Sequence, residues 1–201
     1  NIRLAYEWLV ENYREGDEIF IFGFSRGAYT ARSLAGLVAM DGILKAGSPI
    51  GVAELFERYR KGDEETIWKL KEQQAKGETS GHTEQERWLL KYSQPANVKV
   101  VGVWDTVGSI GLAGGEIPGI SRSTFNYLQT GLRTPLLNNY HALAIDEHRS
   151  DFAPTIWDVH RPKDPNAVLA QPRPISSVEQ RWFVGAHANV GGGYQTDLLA
   201  Q

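Results

Sequence analysis

The 201 residues of this chain are enough for one domain with a sizeable core. Its hydrophobic content of 41% and charged content of 22% are those of an ordinary globular protein. A net charge of −3 gives no reason to expect a nucleic-acid partner, and the lack of cysteine excludes disulfides, thiol catalysis and cysteine-based zinc sites. No apolar run approaches the ~20 residues of a membrane-spanning helix, and no signal peptide is visible.

The chain begins at Asn1, inside a predicted amphipathic helix. The apolar residues of this helix recur three or four positions apart, at Ala5, Trp8, Leu9 and Tyr13. Gly16 is the type of residue that ends such a helix. The chain stops at Gln201, at the start of another predicted helix. We therefore expect a part of a longer protein, cut at both ends.

A strand predicted over Glu18–Phe22 runs directly into Gly23-Phe24-Ser25-Arg26-Gly27, and a helix with small apolar residues follows. The pattern G-x-S-x-G between a strand and a helix is typical of a nucleophile elbow, a tight turn that exposes the serine hydroxyl above the sheet. We expect a side chain at Gly23 or Gly27 to collide with the neighbouring strand or helix, and Ser25 to have a strained backbone. The five residues alone arise by chance in roughly one such chain in ten. Other evidence is therefore needed.

Three helices are predicted between Gly51 and Tyr92. The first contains Val52, Leu55, Phe56 and Tyr59 at helical spacing. The second covers Asp63–Lys76 and the third Thr83–Tyr92. Their alternating lysine and glutamate residues are typical of a solvated face.

The run Asn97–Val107 contains five valines and a tryptophan and is apolar on both faces. This pattern predicts a central, parallel strand. It ends at Asp105, at the carboxyl edge of the predicted sheet, where α/β proteins place their chemistry. The glycine-rich and aperiodic sequence that follows, at about 108–140, predicts a loop or lid over the site.

The remaining segments complete an α/β pattern of alternating helices and strands. His141–His148 is predicted as a short helix and Phe152–Trp157 as extended chain. The proline-rich segment Arg161–Pro174 predicts a surface connection. A last strand, Gln180–Val184, leads into the glycine-rich turn Gly185–Tyr194. We expect a mainly parallel sheet with helices on both faces, forming one catalytic domain over residues 1–201.

Serine becomes a good nucleophile only when a base removes its proton and an acid orients that base. The chain offers Ser25, Asp105 and His187 in the order Ser, Asp, His, each after a predicted strand. Taken alone, Asp105 is as readily a cap or turn residue, and His187 is more readily a loop histidine bound to backbone. Together, the three predict a catalytic triad.

Three other acids could orient the histidine: Asp146, Asp158 and Asp197. Asp197 is the strongest alternative because it lies only ten residues after His187. The other four histidines have no strand-end context and are expected to be structural or exposed: His82, His141, His148 and His160. No H-E-x-x-H or comparable spacing occurs, so we expect neither a metal site nor a cofactor.

Acyl transfer also needs hydrogen-bond donors for the oxyanion. The backbone N–H of Arg26, which follows the nucleophile, is the first expected donor. The second normally comes from a loop after an earlier strand, and no strand is predicted before the first helix. We therefore expect this chain to contain an incomplete oxyanion hole.

The sequence resembles the α/β-hydrolase domain of type VI secretion phospholipase effectors and their uncharacterised relatives. The resemblance rests on four ordered motifs that span nearly the whole chain: GDEIFIFGFSRGAYTAR (16–32), VWDTVG (103–108), ALAIDE (142–147) and GAHANVGGGY (185–194). The chain departs from the family at its start, where the family's first strand and its Cys-Asp-Gly-Thr-like turn are absent.

The resemblance implies a hydrolase of phospholipids or other lipid esters in which Ser25, Asp105 and His187 act as nucleophile, acid and base. It also implies transient contact with a membrane surface, a secretion-machinery or immunity partner, and a place in the cytoplasm or delivery by type VI secretion. Many relatives have no established substrate, so two other functions stay open. One is hydrolysis of small esters or peptides without lipid preference, and the other is a non-catalytic binding or delivery module on a hydrolase scaffold.

Overall fold

The computed structural model describes residues 1–61, 65–107, 136–157, 178–195 and 198. In these ranges the helices are α1 (Ile2–Asn12), α2 (Arg26–Asp41), α3 (Val52–Lys61), α4 (Ile67–Ala75), α5 (Glu84–Tyr92) and α6 (His187–Val190). The strands are β1 (Ile19–Phe24), β2 (Ile43–Leu44), β3 (Ser93–Gln94), β4 (Val98–Trp104), β5 (Leu136–Ala144) and β6 (Val178–Phe183). A short 3₁₀ helix covers Ser150–Phe152.

The described strands form a four-stranded sheet in the order β1-β4-β5-β6, in which every neighbouring pair is parallel. All four strands therefore end at the same edge. The short strands β2 and β3 pair with each other antiparallel in a separate sheet. The prediction of an α/β fold with a mainly parallel sheet is confirmed.

The core includes the interface between this sheet and the helix that follows β1, and it extends to buried residues of α1, α3, α4 and α5. Helix α2 packs against β1 and β4, and its buried Ala28, Ala31 and Ala35 let it approach the strands closely. Leu37 and Val38 of the same helix are fully buried, which stabilises the fold by roughly 1.5–3 kcal/mol for each side chain. This packing fixes the first turn of α2, where the candidate nucleophile lies.

The middle helices follow the predicted pattern with shifted ends. The hydroxyl of Thr83 caps α5 by accepting from the Glu86 N–H, while the Glu86 carboxylate accepts from the Thr83 N–H. Thr66 caps α4 in the same way by accepting from Lys69 N–H. Thus α4 begins at Ile67, and the predicted start at Asp63 lies outside the described residues.

A buried ion pair joins α3 to the end of α2. Arg58 Nη1 lies 2.6 Å from Asp41 Oδ1, and both side chains are almost completely buried. Arg58 Nη2 also donates to the backbone oxygen of Glu65 at 2.7 Å. One guanidinium therefore holds three parts of the chain together.

The predicted helix over His141–His148 is wrong. His141–Ala144 is the second half of β5, which pairs with β4 on one side and β6 on the other. Hydrogen bonding on both sides overrides the helical preference of the alanines and leucine in this segment. Residues 136–140 also belong to β5 rather than to the predicted lid, whose residues 108–135 lie outside the described part of the chain.

Two other predictions concern the segments that follow β5. Phe152 belongs to the 3₁₀ helix, so the predicted extended chain over Phe152–Trp157 is wrong at its start, where a tight turn replaces it. The predicted surface connection Arg161–Pro174 lies outside the described residues. Among the helices that the structure describes, none combines the length and apolar character needed to cross a membrane.

Candidate active site

Ser25 and Asp105 lie side by side at the carboxyl edge of the sheet. Each is the residue directly after a strand, Ser25 after β1 and Asp105 after β4. The Ser25 N–H donates to Trp104 O at 3.0 Å, and the Asp105 N–H donates to Ala142 O at 2.7 Å. The hydrogen-bond ladder thus extends one residue past the strand ends and fixes both backbones.

Ser25 has the backbone of a tight turn. Its φ of 57° and ψ of −124° are strained for a residue with a side chain. It is also the N-cap residue of α2, yet its side chain makes no capping hydrogen bond. The hydroxyl is therefore not engaged by the helix, and the residue is half-buried at the sheet edge.

The two elbow glycines have different roles. A Cβ at Gly23 would lie 2.7 Å from Ala28 Cα, so only glycine lets α2 approach the end of β1. A Cβ at Gly27 would meet nothing within 4 Å. The prediction of a collision at Gly27 is wrong, because this residue faces away from the strand in the first, exposed turn of α2.

Asp105 and His187 form the central contact of the site. Asp105 Oδ2 accepts a hydrogen bond from His187 Nδ1 at 2.6 Å, and Oδ1 accepts from the Ala144 N–H at 3.0 Å. Both side chains are buried, with 0% and 6% of their surface exposed. Because Nδ1 donates to the carboxylate, Nε2 is the ring nitrogen left to accept a proton.

Two aromatic rings contact the His187 imidazole. Phe24, the residue before Ser25, lies 4.5 Å away between ring centroids at an interplanar angle of 32°. Phe152 lies 4.8 Å away at 67°, close to edge-on. A Cβ at Gly191 would collide with the Phe24 ring, so this glycine of the last motif makes room for the aromatic contact.

The backbone of His187 is held by the segment after β5. Its N–H donates to Glu147 Oε2 at 3.2 Å. Arg149 binds the same carboxylate with two donors, Nε at 2.8 Å and Nη2 at 2.7 Å. These hydrogen bonds lower the pKa of Glu147 to about 2, chiefly through Arg149, so the carboxylate is ionised at neutral pH. Arg149 in turn lies over the Phe152 ring at 3.8 Å.

No hydrogen bond joins Ser25 Oγ to the His187 ring in the part of the chain that the structure describes. The two residues are linked instead by Phe24, which precedes Ser25 and packs on the imidazole. The structure thus brings Asp105 and His187 into contact and places Ser25 at the same edge.

Among the alternative acids, Asp146 lies outside any helix, so its predicted place in the helix His141–His148 is wrong. It follows the end of β5, where its Oδ2 accepts the Gly185 N–H at 2.6 Å. Its carboxylate therefore binds the backbone before His187 rather than the imidazole. Asp158 and Asp197 lie outside the described residues.

His141 is a buried residue that hydrogen-bonds to the backbone next to Asp105. Its Nε2 accepts from the Thr106 N–H at 3.2 Å, and its Nδ1 bonds Gln180 Oε1 at 3.3 Å. Burial, and then the charge of Arg32, lower the pKa of His141 to about 3. It is neutral at physiological pH and fixes the backbone that follows Asp105.

The other histidines have structural or exposed positions where they are described. His82 Nε2 lies 3.0 Å from Gln73 Oε1, and His148 is exposed. His160 lies outside the described ranges. Within those ranges, no group of three or more histidine or carboxylate side chains could hold a metal ion.

Arg26 is the first residue of α2, and its backbone N–H lies at the helix N-terminus, where the amides have no intrahelical partner. The positive end of the helix dipole is at the same point. An anion that forms at Ser25 would therefore be stabilised there.

Four neighbours of His187 were not predicted from the sequence: Phe24, Glu147, Arg149 and Phe152. Phe24 belongs to the G-x-S-x-G pattern and Glu147 to the motif 142–147, and these two memberships were the only sequence signals that linked them to the site. Nothing in the sequence indicated that Arg149 and Phe152 contact this region, since those contacts depend on how β5 and β6 pair.

Comparison with known proteins shows which sequences this chain is similar to. An uncharacterised protein of Saccharomyces cerevisiae is 29% identical to this chain over 151 residues. The aligned part covers 74% of this chain and 20% of the yeast protein. The chain thus spans about a fifth of that relative's length. No solved structure matches the chain significantly. The family model for the catalytic domain of Tle1-like phospholipase effectors of the type VI secretion system (T6SS) matches residues 1–201. The chain therefore belongs to the family of T6SS Tle1-like phospholipase effectors and corresponds to their catalytic domain.

Proposed function

We propose that this chain is a serine hydrolase that cleaves carboxylic ester bonds of phospholipids or related lipids. Ser25 is the nucleophile, His187 the general base and then acid, and Asp105 the residue that orients His187. The backbone N–H of Arg26 is one donor to the oxyanion.

The proposed mechanism has two steps. His187 Nε2 takes the proton of Ser25 Oγ while Oγ bonds to the ester carbonyl carbon, and the oxyanion forms near the N-terminus of α2. The ester C–O bond then breaks, and Nε2 returns the proton to the departing alcohol. Water next attacks the acyl-enzyme and gives its proton to Nε2. The carboxylic acid leaves, and Ser25 regains a proton.

The observation that carries this proposal is the 2.6 Å hydrogen bond between Asp105 and His187, whose positions differ by 82 in the sequence. A buried carboxylate on Nδ1 selects the tautomer with a basic Nε2 and stabilises the imidazolium that forms during attack. The strained turn at Ser25, on the same sheet edge, further supports the assignment. A direct bond from Ser25 to His187 is not required beforehand, since catalytic hydrogen bonds often tighten only with substrate present.

The choice of lipid substrates rests on family membership. The same membership supports delivery by type VI secretion and an immunity protein as partner, both as proposals. Because fold and family alone do not determine substrate, the test must compare ester types.

The test measures fatty-acid release from phosphatidylcholine–phosphatidylglycerol vesicles and hydrolysis of a soluble short-chain p-nitrophenyl ester by the full-length protein. Ser25→Ala is the matched variant, because it removes one oxygen and leaves the turn intact. We expect release from vesicles that Ser25→Ala abolishes. Hydrolysis of the soluble ester alone would favour a small-ester hydrolase. Failure with both esters, together with no covalent serine labelling, would favour a non-catalytic module and overturn the proposal.

A further inference from the structure

We infer that Glu147, Arg149 and Phe152 are positioning residues that hold His187 in place together with Phe24. We call these three residues the His187 clamp. The inference rests on the proposed function, because it assigns a task to the clamp in the reaction of Ser25. None of the three touches the reacting atoms directly, so they act through His187.

The first contact fixes the backbone of His187. Its N–H donates to Glu147 Oε2 at 3.2 Å, from a carboxylate with only 3% of its side-chain surface exposed. Two residues before His187, the Gly185 N–H donates in the same way to the carboxylate of Asp146. The turn after β6 is therefore tied at two points to the turn after β5. His187 cannot move away from Asp105 without breaking a part-buried hydrogen bond to a charged group.

The second contact connects this carboxylate to the imidazole ring. Arg149 binds both Glu147 oxygens through two nitrogens, the geometry that fixes a guanidinium most firmly. The same guanidinium covers Phe152 at 3.8 Å, and Phe152 contacts the His187 ring at 4.8 Å. The contacts thus form a closed circuit from the His187 backbone through three side chains back to its own imidazole.

The ring needs this support because one hydrogen bond at Nδ1 leaves it free to swing about that bond. Phe24 packs on the ring at a shallow angle and Phe152 meets it nearly edge-on, so the two contacts together limit the swing. With both rings present, the orientation of Nε2 is restricted. This matters because a general base must lie within hydrogen-bond reach of the proton it removes. Misplacement by about 1 Å costs on the order of 10²-fold in rate.

The charges of the clamp suit this task. The Arg149 cation near an imidazole would by itself disfavour the imidazolium that forms during attack. Glu147 neutralises it through the two-nitrogen contact. The clamp therefore adds rigidity while Asp105 remains the unopposed negative charge on Nδ1.

The test uses a readout that does not depend on turnover. The proton in the His187–Asp105 hydrogen bond gives a far-downfield NMR resonance, which is assigned by its loss in Asp105→Asn. The clamp variants are Glu147→Gln and Phe152→Ala in the full-length protein. Phe152→Tyr keeps the ring and should restore the signal. The matched control is Glu179→Gln, since Glu179 pairs with Arg181 at the same two-residue spacing, at 2.6 Å, within β6.

We expect Glu147→Gln and Phe152→Ala to broaden or remove this resonance, and Glu179→Gln and Phe152→Tyr to keep it. The kcat for a soluble ester should fall about ten-fold in the first two, with KM changed by less than about two-fold. An unchanged resonance in both clamp variants would overturn the inference. If either variant fails to fold, Arg149→Lys replaces it, because lysine keeps the exposed charge but loses the two-nitrogen contact.

These outcomes separate the inference from the proposed function. A wild-type protein that shows the resonance but is not labelled at Ser25 contradicts the proposed function while the resonance still tests the clamp. A labelled wild-type protein whose clamp variants keep full kcat and the full resonance contradicts the clamp alone.

Discussion

His187 Nδ1 lies 2.6 Å from Asp105 Oδ2, inside a site where both side chains are buried. If the proposed function holds, Asp105→Asn should lower kcat by about 10⁴-fold, as the loss of the orienting carboxylate does in proteases with a Ser-His-Asp triad, because the amide no longer selects the tautomer with a basic Nε2. The measurement is hydrolysis of a soluble ester, with circular dichroism to verify the fold. The control is Asp146→Asn, because the Asp146 carboxylate binds the Gly185 backbone rather than the imidazole. A larger loss with the control than with Asp105→Asn would contradict the assignment.

The elbow glycines provide a second, paired prediction. We expect Gly23→Ala to destabilise the protein by about 1–3 kcal/mol, because its Cβ would lie 2.7 Å from Ala28 Cα and force α2 away from β1. Gly27→Ala has open space and replaces a helical glycine, so it should be neutral or stabilise by up to about 1 kcal/mol. The measurement is urea unfolding of both variants. Equal destabilisation by the two would show that the turn is not packed as described.

The buried histidine beneath the site predicts a dependence of stability on pH. His141 has its pKa lowered from 6.5 to about 3, so between these values the unfolded chain binds a proton that the folded chain does not. The free energy of unfolding should therefore fall as pH drops below about 6.5, by at most about 1.4 kcal/mol per pH unit. His141→Gln keeps an acceptor for the Thr106 N–H but cannot take up this proton.

The measurement is chemical unfolding of both proteins at several values between pH 7 and 5. Other titrating groups, such as Glu147, are common to both proteins and cancel in the difference. We expect the wild type to lose stability relative to His141→Gln as the pH falls. Parallel curves would mean that His141 is not held neutral.

The sequence predicted what depends on local pattern. The strand before Ser25, the turn at Gly23 and the valine-rich strand before Asp105 all show in residue types, because a buried parallel strand is apolar on both faces. The order of Ser25, Asp105 and His187 followed from those strands, since parallel strands end at one edge. The contact between Asp105 and His187, with Ser25 close by, needed only that these strands end at one edge.

What could not be predicted depends on pairing between distant segments. Strand β5 looks helical because it contains alanine and leucine, and its buried Asn139 and His141 interrupt the apolar pattern. His141 bonds Gln180 on β6, a partner that no local window of the sequence includes. The contacts of Phe152 and Arg149 with the His187 region depend on the same pairing, so they became visible only in three dimensions.

Ser25 is the proposed nucleophile, and covalent labelling tests this role most directly. The full-length protein is treated with a fluorophosphonate probe, digested and mapped by mass spectrometry, beside Ser25→Ala and His187→Ala. We predict one phosphonylated residue, Ser25, with no labelling in Ser25→Ala and a greatly slowed reaction in His187→Ala, because the hydroxyl then lacks its base. Labelling at another serine, or undiminished labelling in Ser25→Ala, would contradict the account.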